Sequence, residues 1–278
     1  MAWQANTSCI QVMGILNVTP DSFSDGGLFN RRDAALRRVE QMLAEGVDIV
    51  DVGGESTRPG AASVSVQDEL ERVIPVIESI RLHFDVPVSI DTSKPQVMLA
   101  AVAAGADLVN DVRALQEPGA LAACAQLAVP VCLMHMQGLP RTMQQDPHYD
   151  DVAQDICRFF EERIIACEQA GIARSRLILD PGFGFGKTLQ NNVDLLRKLN
   201  TFSIFDLPLL VGVSRKSMIG ALLDNRSPDG RLHGSVAAAV IAAMKGANII
   251  RVHDVQATVD AMKLVDILTN YNERGSKG

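Results

Sequence analysis

Eight short apolar runs, each followed by an amphipathic stretch, in a chain of 278 residues predict an α/β fold closed into a single (β/α)8 TIM barrel. Three observations carry this. The length suits one barrel, which takes about 250 residues as a single unit. The runs are continuously apolar where half-exposed strands would alternate, as expected of parallel strands covered on both faces. Hydrophobic residues make up 47% and aromatic residues only 4%, a balance rich in Ala, Val, Ile and Leu that packs helices onto a buried sheet. One domain is expected over residues 1–278, with its core at about 10–270. A doubly wound open sheet is the competing arrangement, and it normally uses fewer strands in one domain.

The first strand is expected at 12–17 (VMGILN), followed by a helical pattern over about 32–45. The second strand is 49–54 (IVDVGG). In 66–82, Val66, Leu70, Val73, Ile74 and Ile77 recur at helical spacing, with Glu69, Glu71 and Arg72 on the other side. Pro75 inside that pattern predicts a kink or a shortened helix. Strands at 88–92 (VSIDT) and 108–112 (LVNDV) precede helical stretches at about 95–104 and 117–127. A strand at 131–135 (VCLMH) precedes 150–170, where Val152, Ile156, Phe160, Ile164 and Cys167 form a stripe. The last three strands, 177–182 (LILDPG), 208–214 (PLLVGVS) and 249–254 (IIRVHD), are followed by helical patterns at about 190–199, 232–245 and 256–269. The final NERGSKG reads as a frayed tail.

Several classes are disfavoured. No apolar run approaches the roughly 18 residues of a membrane span. The start, MAWQANTSC, lacks the basic-then-apolar order of a signal peptide. Cys9, Cys124, Cys132, Cys157 and Cys167 are odd in number, widely spaced and free of any CxxC, which fits free thiols in a reducing cytoplasm. The net charge of −7 argues against a nucleic-acid partner.

The strand ends carry polar side chains where plain turns would suffice: Asn17, Asp51, Glu55, Asp91, Asn110 with Asp111, His135, Asp180, Ser214 with Arg215 and Lys216, and Arg251 with His253. Any one of them reads equally well as a helix cap. In a barrel, however, the C-terminal strand ends meet on one face, where active sites lie. Asp91, Asn110 and Asp180 together can satisfy the N–H-rich edge of a planar, guanidine-like heterocycle. A metal cage is the competing reading, weakened by the neutral amide and the lack of clustered histidines. A second set, Arg58, Arg215, Lys216, Arg251 and His253, suits phosphate, and phosphate sites after strands 7 and 8 recur in barrels. Ser217 is placed to begin a helix whose N–H groups favour an anion. The loops 17–27 (NVTPDSFSDGG) and 53–60 (GGESTRPG) can close over a substrate. The segment PGFGFGKT (181–188) ends like a phosphate-binding P-loop, but Pro181 stands where that pattern needs glycine.

MGILNVTPDSFSDGG (13–27), DVGGESTRPG (51–60), SIDTSKP (89–95), NDV (110–112), MHMQGLP (134–140), LDPGFGFGK (179–187), GVSRKSMIG (212–220) and RVHDV (251–255) resemble the dihydropteroate synthase family in order and spacing. The resemblance implies a cytoplasmic, homodimeric TIM-barrel transferase of folate biosynthesis. Such an enzyme joins 6-hydroxymethyl-7,8-dihydropterin pyrophosphate to p-aminobenzoate, releases pyrophosphate with the help of Mg2+, and is a sulfonamide target. It further implies that Asp91, Asn110, Asp180 and Lys216 hold the pterin, and that Arg251 packs over the ring and contacts the pyrophosphate with His253. Asn17 would bear on the magnesium. Thr57, Arg58, Pro59, Phe185 and Ser217 would shape the p-aminobenzoate site, beneath loops at 18–27 and 55–63 that order on binding. Asp91, Lys216 and Arg251 are then the expected catalytic groups, in a displacement of dissociative character that needs no covalent intermediate. A pterin-binding methyltransferase domain and a catalytically silent homologue are the alternatives.

Overall fold

In the computed structural model, which describes residues 9–19, 28–56, 64–138, 143 and 146–269, all eight expected runs form strands. They are β1 (Gln11–Asn17), β2 (Ile49–Gly53), β3 (Val88–Asp91), β4 (Leu108–Asp111), β5 (Val131–Met134), β6 (Leu177–Asp180), β7 (Leu210–Val211) and β8 (Ile249–Val252). They are joined by α1 (Leu28–Ala44), α2 (Val66–His83), α3 (Pro95–Ala103), α4 (Ala120–Gln126), α5 (Val152–Gln169), α6 (Leu189–Arg197), a short α7 (Ser217–Leu222), α8 (Leu232–Met244) and α9 (Val255–Thr269). All strand pairs are parallel, in the order β6-β5-β4-β3-β2-β1-β8-β7. A parallel bridge between Leu179 and Leu209 joins the two ends and closes the ring, which excludes the open sheet.

The strands carry two cores because successive side chains point to opposite faces. Val12, Leu16, Val50, Val52, Ile90, Val109, Leu133 and Leu179 face outward against the helices. Inside the ring, Met13, Ile49, Leu108, Cys132, Ile178, Leu210 and Ile249 make a separate, fully buried plug. Two residues further along β2, β4, β6 and β8 lie Asp51, Asn110, Asp180 and Arg251. The pleat therefore puts a polar layer directly above the apolar plug. Asp91 joins that layer through its register with Gly53 and Asn110.

Three local expectations are corrected. β7 spans only Leu210–Val211, although 208–214 reads as a strand. Pro208 has no amide hydrogen. Leu209 N donates to the Asn248 side chain at 2.9 Å, and Arg215 (φ 56°) turns the chain out of the sheet. α2 is not shortened at Pro75 and runs from Val66 to His83. The carbonyl that proline leaves without an intrahelical partner belongs to Glu71, and both residues are exposed, so water can take that bond. Glu69 does not face solvent with Glu71. It is fully buried and paired with Lys94, whose ammonium also reaches Glu55.

Cys9 is exposed, the other four cysteines are buried, and all five are free thiols. Among the described residues no helix is long and apolar enough to cross a membrane.

Candidate active site

The polar layer is organised around one guanidinium. Arg251 Nε donates to Asp51 Oδ2 at 2.6 Å, and its NH2 group donates to Asp91 Oδ2 at 2.7 Å. Asn110 Nδ2 donates to the same Asp51 oxygen at 3.3 Å. Asp51 is fully buried, and its Oδ1 has no hydrogen-bond partner among the described residues. One cation is thus shared by two buried carboxylates. Burial pushes Asp91 up to about 7; Arg251 opposes that shift and Asp51 reinforces it. Burial also works against the charge of Arg251, but Asp51 and Asp91 outweigh it and hold the guanidinium above the usual arginine range.

Asp180 and Lys216 form the other side. Asp180 Oδ1 accepts from Gly182 N at 2.8 Å, and burial raises its carboxyl above the ordinary range. Lys216 precedes α7, donates from Nζ to the Phe183 carbonyl, and holds its ammonium 4.5 Å from the centre of the Phe185 ring. Burial lowers Lys216 to about 8, against the pull of Asp180. A side chain at Gly184, where φ is 79°, would stand 3.2 Å from Lys216 Cδ, so this approach depends on glycine. Gly53 keeps the opposite wall open. A Cβ there would lie 3.7 Å from Asn17 Oδ1 and 3.8 Å from Asp91 Oδ2, which places the Asn17 amide beside the carboxylates.

Of the expected residues, Asp91, Asn110, Asp180, Lys216 and Arg251 come together in this mouth, with Asn17 and Phe185 at its border. Ser217 opens α7 and is exposed. His253 is half-buried, and its Nδ1 lies 3.1 Å from Ser214 Oγ. Thr57, Arg58 and Pro59 lie outside the described residues, as does most of the loop 18–27. Arg215 is corrected: its guanidinium forms a fork on Asp254 at 2.9 and 2.5 Å and does not join the anion-binding set. Asp111 serves the fold. It accepts from Ser93 Oγ and from the amides of Arg113 and Leu115, supporting a turn in which Ala114 and Leu115 both have positive φ. Asp51 was visible as a strand-end residue, but nothing in the local sequence marks it as the partner of Arg251. Among the described residues no three His, Cys, Asp or Glu side chains are grouped to hold a metal ion.

The geometry offers hydrogen-bonding carboxylates and an amide for the N–H edge of a flat heterocycle, with cations at the rim for an anion. The profile of the pterin binding enzyme family matches residues 13–253. A dihydropteroate synthase from Escherichia coli K12 is 60% identical over 262 residues, covering 94% of this chain and 93% of its own. The chain belongs to the dihydropteroate synthase family. Among solved structures of that family, the Yersinia pestis dihydropteroate synthase in a sulfonamide drug complex aligns with a TM-score of 0.91 at 58% identity, covering 95% of this chain and 96% of its own. The Xanthomonas albilineans dihydropteroate synthase in complex with 7,8-dihydropteroate aligns at 0.87 and 49% identity, covering 95% of each. The matched residues 13–253 take in the C-terminal end of every strand.

Proposed function

We propose that this chain condenses 6-hydroxymethyl-7,8-dihydropterin pyrophosphate with p-aminobenzoate, giving 7,8-dihydropteroate and pyrophosphate for folate synthesis. The observation that carries the reading is the buried Asp51–Arg251–Asp91 arrangement beside Asn110, Asp180 and Lys216, in a chain 60% identical to a dihydropteroate synthase. Asp91 and Asp180 accept from the pterin edge, Asn110 accepts from it and donates to it, and Lys216 donates to it. As the bond to pyrophosphate lengthens, positive charge spreads from the exocyclic methylene into the ring. The anionic Asp91 and Asp180, both buried, stabilise that charge. Arg251 and His253 receive the departing pyrophosphate, a role the cationic set in the sequence extends to Arg58. Phe185, Ser217, Thr57 and Pro59 shape the place of p-aminobenzoate. Its nitrogen needs only to be held near the methylene carbon. The family's complex with a sulfonamide drug supports treating that place as a sulfonamide site.

A magnesium ion fits the donor chemistry. Mg2+ keeps several waters and takes phosphate oxygens from its substrate, so it asks few oxygens of the protein, and the Asn17 carboxamide beside Asp91 offers one. When bound, the ion would neutralise charge on the leaving pyrophosphate. A homodimer is supported by apolar residues left exposed on two helices in contact, Ile241 and Met244 on α8 and Leu264, Ile267 and Leu268 on α9. The free thiols support a reducing cytoplasm.

Incubation with both substrates and Mg2+ is expected to release pyrophosphate and form dihydropteroate. Absence of both products would overturn the reading. With p-aminobenzoate withheld, a single-turnover experiment is expected to show pyrophosphate release from the dissociative path, and strict dependence on p-aminobenzoate would mean concerted attack.

The pH dependence follows from the two shifted groups. Ionised Asp91 is required, so kcat/KM should rise as pH increases through about 7. Protonated Lys216 is also required, so kcat/KM should fall as pH passes about 8. A profile flat across the neutral range would rule out both assignments.

A further inference from the structure

Lys187 ends the loop that follows β6, is only 3% exposed, and takes no part in the proposed chemistry. Its Nζ donates to the carbonyls of Gly182 (2.8 Å) and Phe185 (3.1 Å) and lies 3.0 Å from His135 Nδ1. Three acceptors surround its Nζ, and burial pushes the amine well below the usual lysine range against the pull of Asp180. Burial, reinforced by the lysine charge, keeps His135 far below the usual histidine range, so its ring is neutral and can accept.

The carbonyls that Lys187 holds belong to residues that touch the site. Gly182 N donates to Asp180 Oδ1 at 2.8 Å. Phe183 and Phe185, on either side of Gly184, contact Lys216 through a carbonyl oxygen and a ring. Tyr149 Oη reinforces the loop by donating to the Gly186 carbonyl at 2.7 Å. A Cβ on Gly182 would stand 1.9 Å from the His135 carbonyl, and one on Gly186 2.3 Å from that of Gln137, so the loop lies pressed against the segment after β5.

We propose that Lys187 is a positioning residue for the reaction: by tying Gly182, Phe185 and His135 together, it fixes the direction of Asp180 and of the Lys216 ammonium toward the pterin. This rests on the proposed function, because it assigns Lys187 to the same pocket. The loop then works as a rigid wall, and its resemblance to a phosphate-binding loop reflects the need for glycines that let two backbones approach closely.

The test is Lys187→Met, which keeps the apolar stem and removes every donor. A misplacement of about 1 Å costs up to about 100-fold in rate, so kcat/KM for the pterin substrate is expected to fall between about 10-fold and 100-fold. The distinguishing readout is Lys216, which faces Asp180, Arg251 and Asp91. Released from its wall it becomes better solvated, so its pKa should climb from about 8 toward the ordinary lysine value; loss of the neighbouring Lys187 amine pushes it the same way, so Tyr149→Phe, which removes no charge, must also raise it. The alkaline limb of the pH profile should move up with it. The same titration can be followed without turnover from the 13Cε resonance of Lys216, assigned by its loss in Lys216→Gln. A lower melting temperature with the Lys216 titration unmoved would assign Lys187 to stability alone and overturn the proposal, as would unchanged kinetics. Should Lys187→Met fail to fold, Tyr149→Phe decides the matter. Removing one loop hydrogen bond is expected to cost about 3-fold to 10-fold and to shift the Lys216 titration in the same direction; an unmoved titration overturns it. A wild-type protein that releases no pyrophosphate while Lys187→Met still shifts Lys216 would sink the proposed reaction and leave the positioning role standing.

Discussion

Arg251→Ala is expected to cost the protein both stability and its hold on pyrophosphate. The guanidinium is the shared partner of Asp51 and Asp91, and Asp51 is fully buried with a second oxygen that already lacks a partner among the described residues. Breaking a buried ion pair by removing one member typically costs about 3–5 kcal/mol, because the remaining charge stays desolvated. For a protein of this size each kcal/mol lowers the melting temperature by about 2–4 °C, so a fall of roughly 6–20 °C is expected. The pH dependence of the loss has a definite sign. Asp91 is raised above the ordinary unfolded value of about 3.9 mainly by burial, and Arg251 is what opposes that shift. Without Arg251 the folded state prefers protonated Asp91 more strongly, so the variant should lose stability as pH rises from about 4 through about 7 and beyond. The melting-temperature gap from wild type should therefore narrow in acid. A gap independent of pH would remove Asp91 from the explanation. In calorimetric titration the variant should bind pyrophosphate and pterin pyrophosphate more weakly, and p-aminobenzoate less so. Unchanged pyrophosphate affinity would count against the leaving-group role.

Asp91→Asn should have the larger effect on turnover with little effect on folding. The substitution keeps size and one acceptor oxygen but removes the charge that stabilises the electron-poor pterin as pyrophosphate departs. Removing a single preorganised electrostatic group commonly lowers kcat by about 100-fold to 1000-fold. The loss should appear mainly in kcat, since the neutral ground state gains less from the carboxylate than the transition state does. The acidic limb near 7 should disappear with it. Near-normal kinetics would contradict the charge role, and a surviving acidic limb would assign that titration to Asp180 instead.

Both expectations depend on how the fold stacks its layers. Met13, Ile49, Leu108, Cys132, Ile178, Leu210 and Ile249 close the floor of the barrel. Without that plug, water would reach the carboxylates from below and weaken every electrostatic contact in the mouth. Gly53 and Gly212 leave the polar layer without side chains on β2 and beside β8. A Cβ on Gly212 would stand 3.8 Å from Arg251 Cβ. The room between the side chains is therefore set by the backbone itself.

The resemblance to the dihydropteroate synthase family singled out Asp91, Asn110, Asp180, Lys216 and Arg251 together, while the order of strands and helices and the polar character of the strand ends were legible from the residues themselves. These are local properties. Hydrophobic periodicity and turn residues act over a few positions, and a closed parallel barrel brings strand ends to one face whatever their spacing. Only the tertiary structure decided the partners. Arg251 meets Asp51 across 200 residues of chain. Arg215 turns to Asp254 while its neighbour Lys216 reaches the Phe183 carbonyl. Glu69 is drawn inside by Lys94, and Lys187 is held by a carbonyl-lined pocket against His135. Charges are read from sequence as types, but their pairing depends on distances of a few ångströms that exist only after the ring has closed.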